Sequence, residues 1–326
     1  MKLKINKIFK VLIHPLVLVF IIFALFPYFP FIGKYISLGT EVLIWVIFAL
    51  SYNIVLGYTG LPSFGHGGFF GIGAYGLALA YLHLVKGVWI PLLIGSLAGG
   101  LAAALVGLFV AKKRGIYFAL LTVAFSQMFF FVAFRWDEVT GGESGLGGID
   151  RLSIGIPKLF SIDLSNRMNF YYFVFIFFII CTLLIWRIVH SPFGKVLQAI
   201  RENEVRAKYA GYNTARYKWA AFTISGIFAG IAGALYTLLI NSAFAFVLDW
   251  TQSGNVAMMT ILGGGLVNFF GPIVGSAIFI GLRDILSAYW EHWMLVYGLA
   301  FVLVILFMPT GILGILGKAK KRKVLK

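Results

Sequence analysis

A single cysteine, Cys181, occurs in 326 residues. It lies in the run FIICTLLIW, so no internal disulfide can form, and no Cys or His stands beside it at metal-ligand spacing. It is expected to be a buried small hydrophobe. Charge is scarce as well: 12% of residues are charged, with 11 acids against 27 bases. There is no G-x-x-x-x-G-K-S/T loop to cradle a nucleotide, and no HExxH or paired-Cys metal motif. Acids are almost absent from the apolar runs; the exceptions are the neighbours Arg283 and Asp284, a self-neutralising pair or an interfacial anchor. Ion-coupled carriers usually keep ionisable residues within the membrane for their relay. Without a relay or a nucleotide site, any active transport must be powered by another subunit. The chain is therefore expected to have no catalytic residue and to bind no metal or cofactor.

What is present is apolar surface. The hydrophobic share is 61%, and the mean hydropathy is +0.95. A soluble domain sits nearer one half, and a membrane β-barrel would alternate in short segments. Continuous apolar runs point to an all-α polytopic membrane protein. A span needs about 20 apolar residues, which predicts spans near 11–29, 41–57, 66–85, 89–111, 116–135, 169–188, 218–240, 255–270, 271–288 and 293–310. The N-terminal run ends in Phe, Tyr and Pro without a small-residue cleavage site, so it reads as an uncleaved first span. The eighth span is short and interrupted by glycines, as a broken or re-entrant helix would be.

The net charge of +16 would suggest nucleic acid on a soluble protein. Here 20 of the 27 bases fall in four clusters at span ends: Lys2 to Lys10, Lys112–Arg114, Arg187 to Lys218, and Lys318 to Lys326. Basic loops face the cytoplasm. Four, two and four spans separate successive clusters, and every even count keeps them on one side. Eight to ten spans with both termini cytoplasmic satisfy that parity. The membrane domain is 1–317, with an external loop at 136–168 and a cytoplasmic loop at 189–217; a basic tail, 318–326, follows. The external loop leans acidic and is long enough to carry short structure and meet an extracytoplasmic partner.

Eight of the twenty residues from Gly57 to Gly76 are glycine. Small residues let membrane helices approach closely, and Gly67/Gly71 and Gly226/Gly230 have the four-residue spacing for it. Packing does not explain Gly60, Pro62 and Gly65, which would bend or break a helix. The stretch is either a cytoplasmic turn or a helix broken inside the membrane, a feature that recurs around transporter substrate sites. His66 is its only ionisable residue. With no second His or carboxylate nearby in sequence, a neutral, hydrogen-bonded histidine is expected rather than a base or ligand. The polar candidates for lining a translocation pathway are Asn53, Ser63, His66, Thr122, Gln127 and Thr260.

In the 189–217 loop, Ser191 and Pro192 make a capped helix start. Phe193, Val196, Leu197 and Ile200 recur at helical spacing, charged residues follow, and Gly211 offers a stop. The helix either lies on lipid headgroups or presents its apolar stripe to a groove on a cytoplasmic partner.

Five segments in order, YNIVLGYTGLPSFGHGGFFGIGAY, KRGIYFALLTVAFSQM, TGGESGLGGI, the 191–236 stretch and ILGGGLVNFFGPIVGSAIF, resemble the LivM-type membrane subunit of branched-chain amino-acid ABC importers. The resemblance implies a permease fold of the type I ABC-importer kind and a homologous partner permease of the LivH type. It also implies two cytoplasmic ATPase subunits that use ATP, and an extracytoplasmic substrate-binding protein. It makes the 191–211 helix the ATPase contact, with Glu204, Ala207 and Gly211 matching the importers' EAA…G loop. The competing readings are a permease for urea or amides, a stand-alone facilitator, and an intramembrane enzyme centred on His66.

Overall fold

The protein is described by a computed structural model, which covers residues 15–28, 35–151, 154–156, 160–264, 268–307 and 311–314. The terminal basic clusters, Lys2 to Lys10 and the 318–326 tail, lie outside the described residues, as does the start of the first expected span. Among the described residues, and beside a four-residue helical turn at Asp137–Thr140, ten apolar helices and one amphipathic helix follow in order: α1 Pro15–Leu25, α2 Ile36–Asn53, α3 His66–His83, α4 Trp89–Val110, α5 Gly115–Arg135, α6 Arg167–His190, α7 Pro192–Tyr209, α8 Thr214–Ile240, α9 Trp250–Gly264, α10 Gly271–Tyr289 and α11 Trp293–Phe307. Each apolar helix answers to one expected span. Six are long and apolar enough to cross a membrane unaided; α2 counts among them when taken on through its final π-helical turn, Ile54–Tyr58. The molecule is a multi-pass membrane protein.

Glycine faces bring the centre together. A Cβ on Gly230 of α8 would lie 3.0 Å from the Gly95 carbonyl of α4, and one on Gly99 would lie 2.9 Å from the Phe69 carbonyl of α3. No side chain could occupy those positions without moving backbone, so α3, α4 and α8 pack nearly backbone to backbone. Such contact replaces the hydrophobic drive that lipid does not supply. Helix α2 is the buried axis of the bundle: from Val42 to Leu56 every residue is buried. Helix α5 is the least buried long span, with Phe118, Thr122, Ser126 and Ala133 facing inward. Cys181 is a buried free thiol on α6, as expected.

The two ends differ in charge. At one, Arg114 after α4 pairs with Glu204 of α7 at 2.7 Å, and Lys218 donates to the Lys113 carbonyl at 3.1 Å. The 112–114 and 187–218 clusters therefore share this basic end. At the opposite end, Leu146 and Ala243 exchange backbone bonds of 2.8 Å. There Arg151 donates to the carbonyls of Leu238 and Leu239, closing the C-terminus of α8. The 136–168 loop carries a small antiparallel hairpin, β1 Ile154–Ile156 and β2 Phe160–Ile162.

Candidate functional site

Two spans are broken at mid-depth, and their broken ends meet. After Tyr58 the chain leaves its helix at the basic end, turns through Gly60 at φ +75°, and re-enters the bundle without helical structure over 60–65. Helix α3 starts only at His66. Phe64 N–H donates to the Thr122 hydroxyl at 3.0 Å, and Thr122 stands seven residues, about 10 Å, inside the start of α5. The stretch combines both options: the chain turns at Gly60 on the basic end, and the segment through Pro62 and Gly65 then runs into the bundle without helical structure before α3 begins.

The second break enters from the other end. Helix α8 stops at Asn241 in the left-handed conformation, φ 57°. The chain then descends to Asp249, whose carboxylate accepts from Gln127 Nε2 at 2.9 Å. Gln127 is eight residues, about 12 Å, inside the far end of α5. Helix α9 begins at Trp250 and has 15 residues, about 22 Å, enough for part of a bilayer only. The eighth span is therefore a descending segment plus a partial helix. Its N-terminus abuts that of α3: Gly67 N–H donates to the Ser253 hydroxyl at 2.7 Å.

Serines satisfy the polar groups released by these breaks. Ser225 Oγ–H donates to the Ser51 carbonyl at 2.6 Å, which uses its one proton. His66 Nε2, 2.6 Å from the same oxygen, must then be the donor. Its Nδ1 accepts from Ser63 Oγ at 3.0 Å. This is the neutral Nε2–H tautomer with both nitrogens occupied, bonded to hydroxyls rather than to the backbone. It leaves no lone pair for a metal or a proton relay, and among the described residues no His, Cys, Asp or Glu cluster could hold a metal. Ser126 Oγ–H ties the second break by donating to the Leu248 carbonyl at 2.8 Å.

Of the six pathway candidates, Ser63, His66 and Thr122 gather at the first break and Gln127 at the second. Asn53 is buried with neither amide atom bonded in the structure, and Thr260 bonds back to the Val256 carbonyl of its own helix. Asp249, Ser225 and Ser253 were not anticipated. Asp249 was legible as a helix cap, since its Oδ1 accepts from Thr251 N–H at 2.9 Å; its depth was not. Two readings need correction. Arg283 does not pair with Asp284, because adjacent helical residues diverge; its Nη2 reaches both oxygens of Glu41 on α2, at 2.7 and 2.8 Å. Gly71 does not meet a regular helix but Leu248 of the descending segment, whereas Gly67 meets Asp249 together with Gln252 and Ser253 in the first turn of α9.

Beside the breaks, a cavity of about 670 Å³ opens between α2, α3 and α8–α11, with Trp45, Phe279, Gln252, Asn255 and Arg283 on its wall.

Interrupted helices that meet inside a multi-pass bundle recur around the substrate sites of transporters. The sequence profile described as "Branched-chain amino acid transport system / permease component" matches residues 35–307. The chain belongs to this family. It is 30% identical to the high-affinity branched-chain amino acid transport system permease protein LivM of Escherichia coli, over 85% of this chain and 69% of that one. The probable LivM of Methanocaldococcus jannaschii is 26% identical over 85% and 94%, and the E. coli permease protein LivH 25% over 86% and 93%. No solved structure matches it.

The 189–217 loop of this permease folds onto its own bundle. Ser191 Oγ accepts from Gly194 N–H, forming the expected start. Leu197 and Ile200 face inward and are 0% and 4% exposed, and Phe193 stacks on Tyr217 at 5.7 Å. The apolar stripe is therefore turned largely into the chain itself, which corrects the reading of it as an open docking face; only Phe193 and Val196 line a groove, with Tyr212 and Tyr217. Helix α7 also kinks at extended Asn203, whose side chain caps the second segment by accepting from Arg206 N–H at 2.9 Å. Ala207 is buried and Gly211 ends the unit at φ +88°. Glu204 accepts from Thr214 at 2.8 Å and pairs with Arg114 and Lys218. Burial alone would raise its carboxyl; the Thr214 hydroxyl and the two cations outweigh that and hold it below the ordinary value. Arg201 reaches from α7 to the Gly57 carbonyl at 2.5 Å, where the first break begins.

Proposed function

We propose that this permease is one of two homologous membrane subunits of an ATP-driven importer of branched-chain amino acids. Two cytoplasmic ATPase subunits supply the energy, an extracytoplasmic binding protein delivers the cargo, and the chain itself binds no cofactor. The observation that carries the reading is the meeting of two partial helices, N-terminus to N-terminus, at mid-depth beside a cavity. Interrupted helices of this kind flank substrate sites in transporters. The names of the relatives, LivM and LivH, supply the solute and the paired permease. The basic end faces the cytoplasm by the positive-inside rule, with both chain termini on that side. The outward surface of α7, with Val205 and Tyr209 exposed, receives the ATPase; the groove beside Phe193 adds to it.

Reconstitution with the second permease, ATPase and binding protein tests this reading. Leucine, isoleucine or valine should accumulate only with ATP and all four components. Equal uptake without ATP would make the chain a facilitator, and accumulation of urea or amides in place of leucine would overturn the solute.

A further inference from the structure

We infer that the cavity walled by Trp45, Phe279 and Arg283 is a resting site for a small zwitterion with an apolar side chain, within this chain and in the half of the bundle away from the basic end. The inference rests on the proposed import function and gives the solute a place. The volume, about 670 Å³, falls in the usual range of roughly 300–1,000 Å³ for small-molecule sites. Most of the wall is aromatic or aliphatic, which suits a branched side chain.

The polar groups sit at one side. Arg283 is 30% exposed although it lies within a span. Among the described residues its hydrogen bonds all run from one nitrogen, Nη2, to Glu41. A guanidinium has five N–H donors in a planar fork, and among the described residues no other acceptor is assigned to them. A cation whose remaining donors border an apolar cavity attracts an anion that can take two at once, as a carboxylate does. The first two turns of α9 add to this: Gln252 and Asn255 line the cavity, and a helix N-terminus favours negative charge. Glu41 accepts from Arg283 and, at 3.2 Å, from Trp45 Nε1. Its negative charge and the aromatic faces suit an ammonium group nearby. A bare interhelix strut accounts for the Glu41–Arg283 pair; it does not account for the open cavity and the unused donors beside it.

Gly298 on α11 lines the cavity, and a Cβ there would meet nothing within 4 Å. The native thiol, Cys181, is buried, so Gly298→Cys gives this chain one reactive label inside the cavity, read on this subunit after separation from the second permease of a pair assembled in nanodiscs. Leucine at millimolar concentration should slow maleimide labelling at least fivefold. Acetate and isobutanol, which carry only one half of the chemistry each, should not. Arg283→Gln, or Glu41→Gln with Arg283→Gln should the single change fail to assemble, should abolish that protection while the second permease stays bound. Labelling that leucine leaves unchanged, in a complex that imports leucine, overturns the site and leaves the transport function standing. Protection by isobutanol or an acyl chain alone overturns it in favour of a lipid pocket. Protection by leucine in a complex that accumulates a different solute upholds the site and refutes the solute assignment.

Discussion

His66 gives its one ring proton to Ser225 and accepts one from Ser63, so its role is to close a break in a helix at a depth where water does not reach. Ser225→Ala leaves the imidazole N–H without its acceptor, while the Ser51 carbonyl keeps the Ile54 N–H. An unsatisfied buried donor costs about 1–3 kcal/mol, and the thermal midpoint of the purified permease should fall accordingly. A relay histidine would instead shift the pH profile of uptake, and that profile should not move. Glu204 behaves differently because it sits outside the spans. Its folded carboxyl titrates below its unfolded value, so its contribution is complete above the ordinary value of about 4.3 and is lost as pH falls through the depressed one. Amide protection factors in 191–213, taken relative to the intrinsic exchange rate at each pH, should fall below about pH 4, and Glu204→Gln should show that lowered protection at pH 7. Loss of one partner of a buried pair is on the order of 3 kcal/mol, because Lys218, 1% exposed, loses its counter-charge.

The glycines divide into those that hold helices together and those that hold nothing. Gly230→Leu drives a side chain into the backbone of α4, and Gly71→Leu meets Leu248 of the descending segment; each should cost at least the ~1–3 kcal/mol of an overpacked core. The damage falls within the permease itself, so both variants should lose monomer yield before any loss of pairing is measurable by size-exclusion chromatography. Gly281→Leu, where a Cβ meets nothing within 4 Å, should express normally. Ten apolar elements, their order and the capped start at Ser191 were legible because hydropathy, length and capping are local properties. The Gly60–Gly65 break was legible only as one of two options, since nothing local distinguishes a turn at the surface from a turn at depth. Asp249 was hidden for the same reason: a sequence read in straight spans puts 241–249 in a loop. The inward turn of Leu197 and Ile200 was equally invisible, because an amphipathic helix covers its own bundle or a partner with the same pattern.

Across the whole molecule, one chain of contacts runs from the basic end to the centre. Helix α7 holds Glu204 against Arg114 and Lys218, and it touches the Gly57 carbonyl through Arg201; nine residues later α3 begins at His66 against Ser253 of α9. A partner that moved α7 would move the segment whose far side is the meeting point of the two partial helices. Docking and transmission therefore separate by residue. Val205 and Tyr209, 48% and 88% exposed, contribute nothing visible to the fold, so Val205→Asp with Tyr209→Asp should leave the permease folded yet unable to retain its ATPase through purification, because burying an unpaired charge at the contact is costly. Arg201→Met keeps the bulk of the side chain and removes its hydrogen bond to Gly57. That variant should keep the ATPase, with hydrolysis within about twofold of wild type, while leucine uptake falls at least tenfold, on the order of 1.4 kcal/mol or more of lost coupling. Retained ATPase binding in the double variant would move the docking surface elsewhere, to the groove of Phe193 and Val196. Full uptake in Arg201→Met would show that α7 acts on the centre by another route, through Lys218 and α8.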